Sequence, residues 1–317
     1  MKTLPIIKAE FRRSAWVLWP VLFALIPACI GRAANDMSNS AYYSSMYLEG
    51  ELFVTGDVLE TLGTFSVLWT ALLVYVQYAN DRPDFAKALP YTSKQLILSK
   101  ASAAVFIGAV TSAVYVLFML GILRKYSWLV KTESWTGIEQ YIDVFDVNFV
   151  LISAAAAFVL AMAMYWYISL CCCVCRRVYA GLWLAFLGFL SFTGFMNLSN
   201  EIETVDPVSA LGCVLEKVGL EGYTISIFVM LFALVLLLIT MLPALKLYGG
   251  GNSAHPVFRY SGAAKAFYIF SGLSAALYFP YIANMRDNIP LALVIGGVIG
   301  IGLGAVLNKF ILKRCGQ

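Results

Sequence analysis

Residues 147–175 read VNFVLISAAAAFVLAMAMYWYISLCCCVC, 29 residues without one Asp, Glu, Lys or Arg. Crossing the hydrocarbon core of a bilayer takes about 20 residues of helix. A run this long and this apolar therefore reads as a membrane span. Seven more uncharged runs surround it: 14–31, 61–80, 101–123, 178–200, 222–245, 266–285 and 288–308. Together the eight hold 178 of the 317 residues. The expected fold is an all-α polytopic membrane protein with about eight transmembrane helices.

Composition agrees. Hydrophobic residues make up 61% of the chain and charged residues 13%, against roughly 45–50% and 25% in soluble domains. The mean hydropathy is +0.80. These values exclude an ordinary cytosolic enzyme, a disordered chain and a nucleic-acid binder. The longest connection, 32–60, has 29 residues, too few for a folded domain of about 50 or more. Lipid is the one partner that composition itself requires.

Charge sets the expected orientation. With the N-terminus cytoplasmic, segments 1–13, 81–100, 176–177, 246–265 and 309–317 lie inside. They hold 16 of the 22 Lys and Arg residues and three acids, Glu10, Asp81 and Asp84. The outer connections hold 15 acids and six bases. Cytoplasmic loops are enriched in Lys and Arg, so both termini are expected inside. The basic start followed by an apolar run also has the form of a secretory signal, but Pro27 is atypical near a cleavage site and seven further spans follow. An uncleaved first span is the expectation.

The seven cysteines do not form a disulfide framework. A Cys29–Cys213 bridge is open to both outer positions. The run Cys171-Cys172-Cys173-Val174-Cys175 has two readings: palmitoylation or metal binding, and apolar packing near the interface. Consecutive cysteines point around a helix and cannot converge on one ion without unwinding it.

Residues 1–13 suit a helix along the inner leaflet, Thr3 capping it and Pro5 in its first turn. Leu4, Ile7 and Phe11 share one face, and Lys8 and Arg12 lie on the other. A cytoplasmic extension of span one reads equally well. Residues 80–100 have a defined shape. Pro83 opens a short helix whose Phe85 and Leu89 share an apolar face, and Pro90 ends it. Thr92 and Gln95 then form a T-x-x-Q box before a new apolar run. The segment at 201–221 reads as a short amphipathic hairpin. In span eight, Gly296, Gly300 and Gly304 recur every four residues, a stripe that lets a helix approach closely. That helix is span seven or another subunit.

Chemistry is sparse. Gly249-Gly250-Gly251 lacks the Lys and Ser/Thr of a phosphate-binding loop, and the single histidine, His255, has no evident metal partners. No charged residue falls within the uncharged runs, which argues against a proton- or ion-coupled carrier, although Gln77, Asn148 and several hydroxyls could line a path. No catalytic, cofactor or metal site is expected in this chain.

The order of elements carries a resemblance. A basic N-terminal helix leads into span one, a structured loop joins spans two and three, and a hairpin-like segment precedes span six. The loop contains Ala88-Leu89-Pro90-Tyr91-Thr92-Ser93-Lys94-Gln95-Leu96-Ile97-Leu98-Ser99-Lys100. This resembles the exporter-type (type-2) permease subunits of bacterial ATP-binding-cassette transporters. There, a leucine-proline followed by a hydroxyl and a basic residue, then a lysine before span three, is a recurrent phrase. The resemblance implies that Arg82, Phe85, Leu89, Pro90 and Tyr91 form a coupling loop that contacts separate cytoplasmic ATPase subunits, which bind ATP and Mg²⁺. It also implies a second permease subunit, identical or not, and a bacterial cytoplasmic membrane location. The likeness covers residues 1–245 as a six-span core. Residues 246–317, a basic loop and a two-helix hairpin, depart from it, as in some bacterial permeases of antibiotic-response operons. Two other classes fit the sequence: a membrane sensor or scaffold, and an uncoupled channel or secondary carrier.

Overall fold

The computed structural model describes residues 4–25, 27–28, 31, 54–79, 91–125, 147–201, 214, 224–248, 250, 257–283 and 289–315. Among them the regular elements are helices. The helices are α1 (Leu4–Ser14), α2 (Val54–Tyr78), α3 (Ser93–Lys125), α4 (Val147–Val174), α5 (Val178–Glu201), α6 (Thr224–Leu247), α7 (Ser261–Ile282) and α8 (Ile289–Cys315). One isolated antiparallel bridge joins Cys175 to Phe258.

Four helical segments are long and apolar enough to cross a membrane: Ser93–Lys125, Val150–Val174, Ser226–Leu247 and Ile289–Val306. Two more are apolar but shorter over their described residues, Ser66–Tyr78 and Val178–Gly194. Over its described residues the chain is thus a helical protein of membrane-spanning character. Helix α7 carries small and hydroxyl-bearing residues along its length. Those same residues let it pack closely.

The start of the chain is helically continuous. Helix α1 passes without a break into a 3-10 turn at Ala15–Val17, an α turn at Leu18–Pro20 and a π turn at Val21–Leu25. The backbone at Ser14, Val17, Leu18 and Val21 stays in the right-handed helical region. Residues 4–25 therefore form one winding element, and the amphipathic helix extends the first apolar run. Pro20 has no N–H to give the ladder, a common reason for such changes of pitch.

The chain divides into two compact units. The first comprises Met1–Gln77, Gln95–Tyr165 and Pro207–Ile239. In it α3 meets α4 where Gly108 lies against Met162 and Phe158, and Phe11 of α1 packs edge-on against Phe106 of α3 with ring centroids 4.6 Å apart.

The second unit comprises Tyr78–Lys94, Trp166–Asp206 and Thr240–Gln317. Here α7 packs against both α5 and α8. Hydroxyls link the helices: Ser274 Oγ donates to Leu187 O (2.9 Å), Ser191 Oγ meets Ser274 Oγ (3.0 Å), and Thr193 Oγ1 meets Tyr278 Oη (2.6 Å). Ser271 Oγ donates to Gly300 O of α8 (2.6 Å). Polar links of this kind hold helices together where lipid gives no hydrophobic drive. The turn between α4 and α5 is pinned by backbone bonds from Arg176 N to Val257 O (2.7 Å) and from Arg259 N to Val174 O (2.8 Å). Phe258 is fully buried against Phe267. Next to it Tyr260 donates to Leu247 O (3.1 Å). Burial raises the pKa of its phenol above the ordinary value, against the lowering effect of Arg259.

Candidate functional site

A lysine decides where chemistry is concentrated in the first unit. Lys100 is only 1% exposed. A buried ammonium must be paired and hydrogen-bonded, since desolvating a lone charge costs far more than a fold can offset. The chain meets that demand from four helices. Lys100 Nζ donates to the Gln77 carbonyl of α2 (2.6 Å) and lies 3.2 Å from Glu10 Oε1 of α1. Gln77 returns the bond, its Nε2 donating to Lys100 O (3.1 Å) and to Ser14 Oγ of α1 (3.0 Å). Tyr165 of α4 donates to Gln77 Oε1 (2.9 Å). Ser14, Gln77 and Tyr165 are all fully buried.

Both donors and the acceptor of the Gln77 amide are thus engaged. Arg13 Nη1 stands 4.0 Å from Glu10 Oε1, so two cations face one carboxylate. Glu10 Oε2 is buried without a hydrogen-bond partner among the described residues. The arrangement holds charge in place and fixes four helices to one another. It offers no nucleophile–base pair. Farther along the same helices, Ser66, Trp69, Thr111, Tyr115, Ala154 and Phe158 line a cleft of about 20 Å³, room for one water.

The residues read from the sequence are distributed as follows. Arg82, Phe85, Leu89 and Pro90 lie outside the described residues, as do Cys29, Cys213, His255 and, apart from Glu201 and Val214, the rest of the 201–221 hairpin. Tyr91 is half-buried at a bend, and α3 begins two residues later at Ser93, just after the Thr92 of the T-x-x-Q box. Gly296, Gly300 and Gly304 lie along α8 against α7. A Cβ on Gly296 would meet Phe279 Cβ at 2.5 Å and Ala275 O at 2.7 Å. One on Gly300 would strike Ser271 O, and one on Gly304 would meet Ser271 Oγ at 2.8 Å.

Cys171, Cys172, Cys173 and Cys175 are all buried with free thiols. Cys172 packs so tightly on α5 that a Cβ on Gly181 would stand 2.7 Å from its Cα. No cluster of three or more potential metal ligands occurs among the described residues. These four cysteines act as packing residues. Asn148, a candidate path-lining residue, is exposed.

Lys100 and Glu10 are the members of this buried network that sequence reading placed elsewhere, in a cytoplasmic loop and a surface helix. A signal was present. Leu96, Ile97, Ala103, Ala104, Ile107 and Thr111 are buried at steps of three and four, and Lys100 falls on the same stripe. No protein-family model, no curated protein and no solved structure matches this chain.

Proposed function

We propose that the chain is the membrane-spanning permease subunit of an ATP-binding-cassette exporter in a bacterial cytoplasmic membrane. In this reading it crosses the membrane eight times with both ends inside, and residues 1–245 form the permease core that 246–317 extend. ATP and Mg²⁺ bind to separate cytoplasmic ATPase subunits, and a second permease subunit completes the pore. Residues 82–91 carry the ATPase contact.

One observation supports this most. Gln77 and Lys100 bracket the 82–91 loop in sequence, and they bond to each other reciprocally, Gln77 Nε2 to Lys100 O and Lys100 Nζ to Gln77 O. That clamp joins the helices on either side of the loop and ties them to α1 and α4. A pull on the loop would reach four helices instead of being absorbed in a slack hinge.

The test is assembly. Expressed with its operon, the chain should co-purify with a separate ATPase, and alone it should not hydrolyse ATP. Phe85→Ala with Leu89→Ala should reduce ATPase recovery at equal membrane expression, because two apolar anchors at helical spacing fit a protein groove. Unchanged recovery together with unchanged transport-linked resistance would remove the coupling assignment.

A proton-coupled secondary carrier is the second reading, and the buried Glu10–Lys100 pair is the observation in its favour. It predicts transport by this chain alone, driven by a proton gradient. The exporter reading predicts none without the ATPase.

A further inference from the structure

Residues 5–24 have two faces that run the length of the element. Turned inward are Ile6, Ser14, Val17 and Val21, each at most 9% exposed, together with Glu10 in its ion pair with Lys100. Turned outward are Lys8 and Arg12, both exposed, then Trp16 (76% exposed), Trp19 (60%) and Phe23 (69%). The outward residues follow one another at steps of three or four, so they form a single stripe. Trp19 and Phe23 stack with centroids 5.2 Å apart and planes 15° from parallel, which keeps both rings along the stripe.

The order along this stripe is a polarity gradient. Cations come first, indoles next and a phenyl ring last. At about 1.5 Å per residue, Arg12 and Trp16 are roughly 6 Å apart along the axis. That matches the roughly 5–8 Å head-group layer left when the hydrocarbon core is subtracted from the whole bilayer. Tryptophan prefers this interface, and the stems of Lys and Arg reach from it to phosphate. A protein groove has no reason to be graded this way over five residues. The charge is one-sided as well. The only acid in residues 4–25 is Glu10, and it is turned to the inner face. The stripe therefore offers two cations and no competing anion.

We propose that this stripe is a binding site for an anionic glycerophospholipid, whose phosphate meets Lys8 and Arg12 while its glycerol and acyl chain lie along Trp16, Trp19 and Phe23. The site needs only that the protein is in a membrane, so it stands or falls separately from the exporter reading. Each basic residue near a charged surface contributes on the order of a fivefold preference for anionic lipid. Two should give roughly twentyfold.

A photoreactive p-benzoylphenylalanine in place of Trp19, in the full chain reconstituted in nanodiscs of equal phosphatidylglycerol and phosphatidylcholine, reads the site directly. The phosphatidylglycerol adduct should dominate by about tenfold or more by mass spectrometry. The same probe in place of Val298, an exposed apolar residue of α8, serves as the reference and should show no comparable preference. Lys8→Gln with Arg12→Gln should bring the ratio at position 19 down to the Val298 reference, and Lys8→Arg with Arg12→Lys should preserve it. Equal adducts in the unaltered background, or a preference that survives loss of both charges, would overturn the proposal. So would crosslinking of position 19 to a protein partner in native membranes.

Discussion

The Glu10–Lys100 pair makes a prediction with a definite energy. Removing one partner of a buried pair costs about 3–5 kcal/mol, because the other charge stays behind uncompensated. Two features lower that here. Glu10 keeps 13% side-chain exposure, and Lys100 retains the Gln77 carbonyl at 2.6 Å. Glu10→Gln should therefore cost about 2–3 kcal/mol. Lys100→Met keeps the apolar stem but leaves the Gln77 carbonyl without its donor and Glu10 with Arg13 at 4.0 Å, for a similar loss of about 2–3 kcal/mol. The double variant takes the carboxylate only from Arg13, which is 27% exposed, and should cost about 2 kcal/mol, mainly for the Gln77 carbonyl. The coupling energy is then about 2–4 kcal/mol. Reversible SDS unfolding in mixed micelles, performed on all four proteins, measures it. Costs that add to within about 0.5 kcal/mol would show that the two side chains do not act as a pair, and the tie from the clamp to α1 through Glu10 would go with it.

Three further outcomes follow from the packing and the charge pattern. Gly297 and Ala276 face each other with a Cβ at Gly297 standing 3.8 Å from Ala276 Cβ, close to the mean separation in disulfides; a cysteine pair there should oxidise readily, and adding Gly300→Leu, whose side chain collides with Ser271 O and Ala275 Cβ, should abolish the crosslink and cost about 1–3 kcal/mol. Cys171, Cys172, Cys173 and Cys175 should resist maleimide in the folded protein and react in SDS, so intact mass should show four more adducts after unfolding; labelling of any of the four before unfolding would contradict their burial. Cysteines introduced at 40, 135 and 205 should label from outside intact cells and those at 88 and 255 should not, and external labelling at 255 would overturn the proposed arrangement after α6.

How much of this was legible beforehand depended on what the bilayer demands. Uncharged runs mark where lipid must be, because a charge at membrane depth is expensive. The runs at 101–123, 147–175, 222–245 and 288–308 accordingly coincide with the four helices apolar enough to cross. Hydropathy locates the edge of the hydrocarbon, however, and not the end of a helix. Helix α3 starts at Ser93 and contains Lys94 and Lys100, and α8 continues through Lys309, Lys313 and Arg314 to Cys315. Continuing the hydrogen-bond ladder through the interface satisfies groups that would otherwise need water. The helix restart after Thr92 could be read because a capping box is local chemistry. The spacing of Gly296, Gly300 and Gly304 could also be read, but not their neighbour, since a small-residue groove accepts any helix that offers one in return. Span seven supplies Ser271, Ala275 and Ala276 at the matching spacing.

The clamp was harder, and the reason is physical. A charged residue ends an apolar run only if it faces lipid. Lys100 stands three and four residues beyond Ile97 and Leu96 and four before Ala104, all of them buried. Helical spacing therefore turns it inward, where the rule that charges mark loops does not apply. An inward lysine is tolerable only beside partners, and those partners sit 23 and 90 residues earlier in the chain. Gln77 was conspicuous as one of two side-chain amides in the run at 61–80, and Glu10 as one of three acids on an otherwise basic side. Each was a polar group in the wrong surroundings. Taken one at a time they suggested a path for a solute or an ordinary surface charge. Taken together, an inward-facing base, an amide in an apolar run and an isolated acid are what one buried network requires, and the helical spacing of Lys100 from Ile97 and Ala104 is the signal that turns it inward.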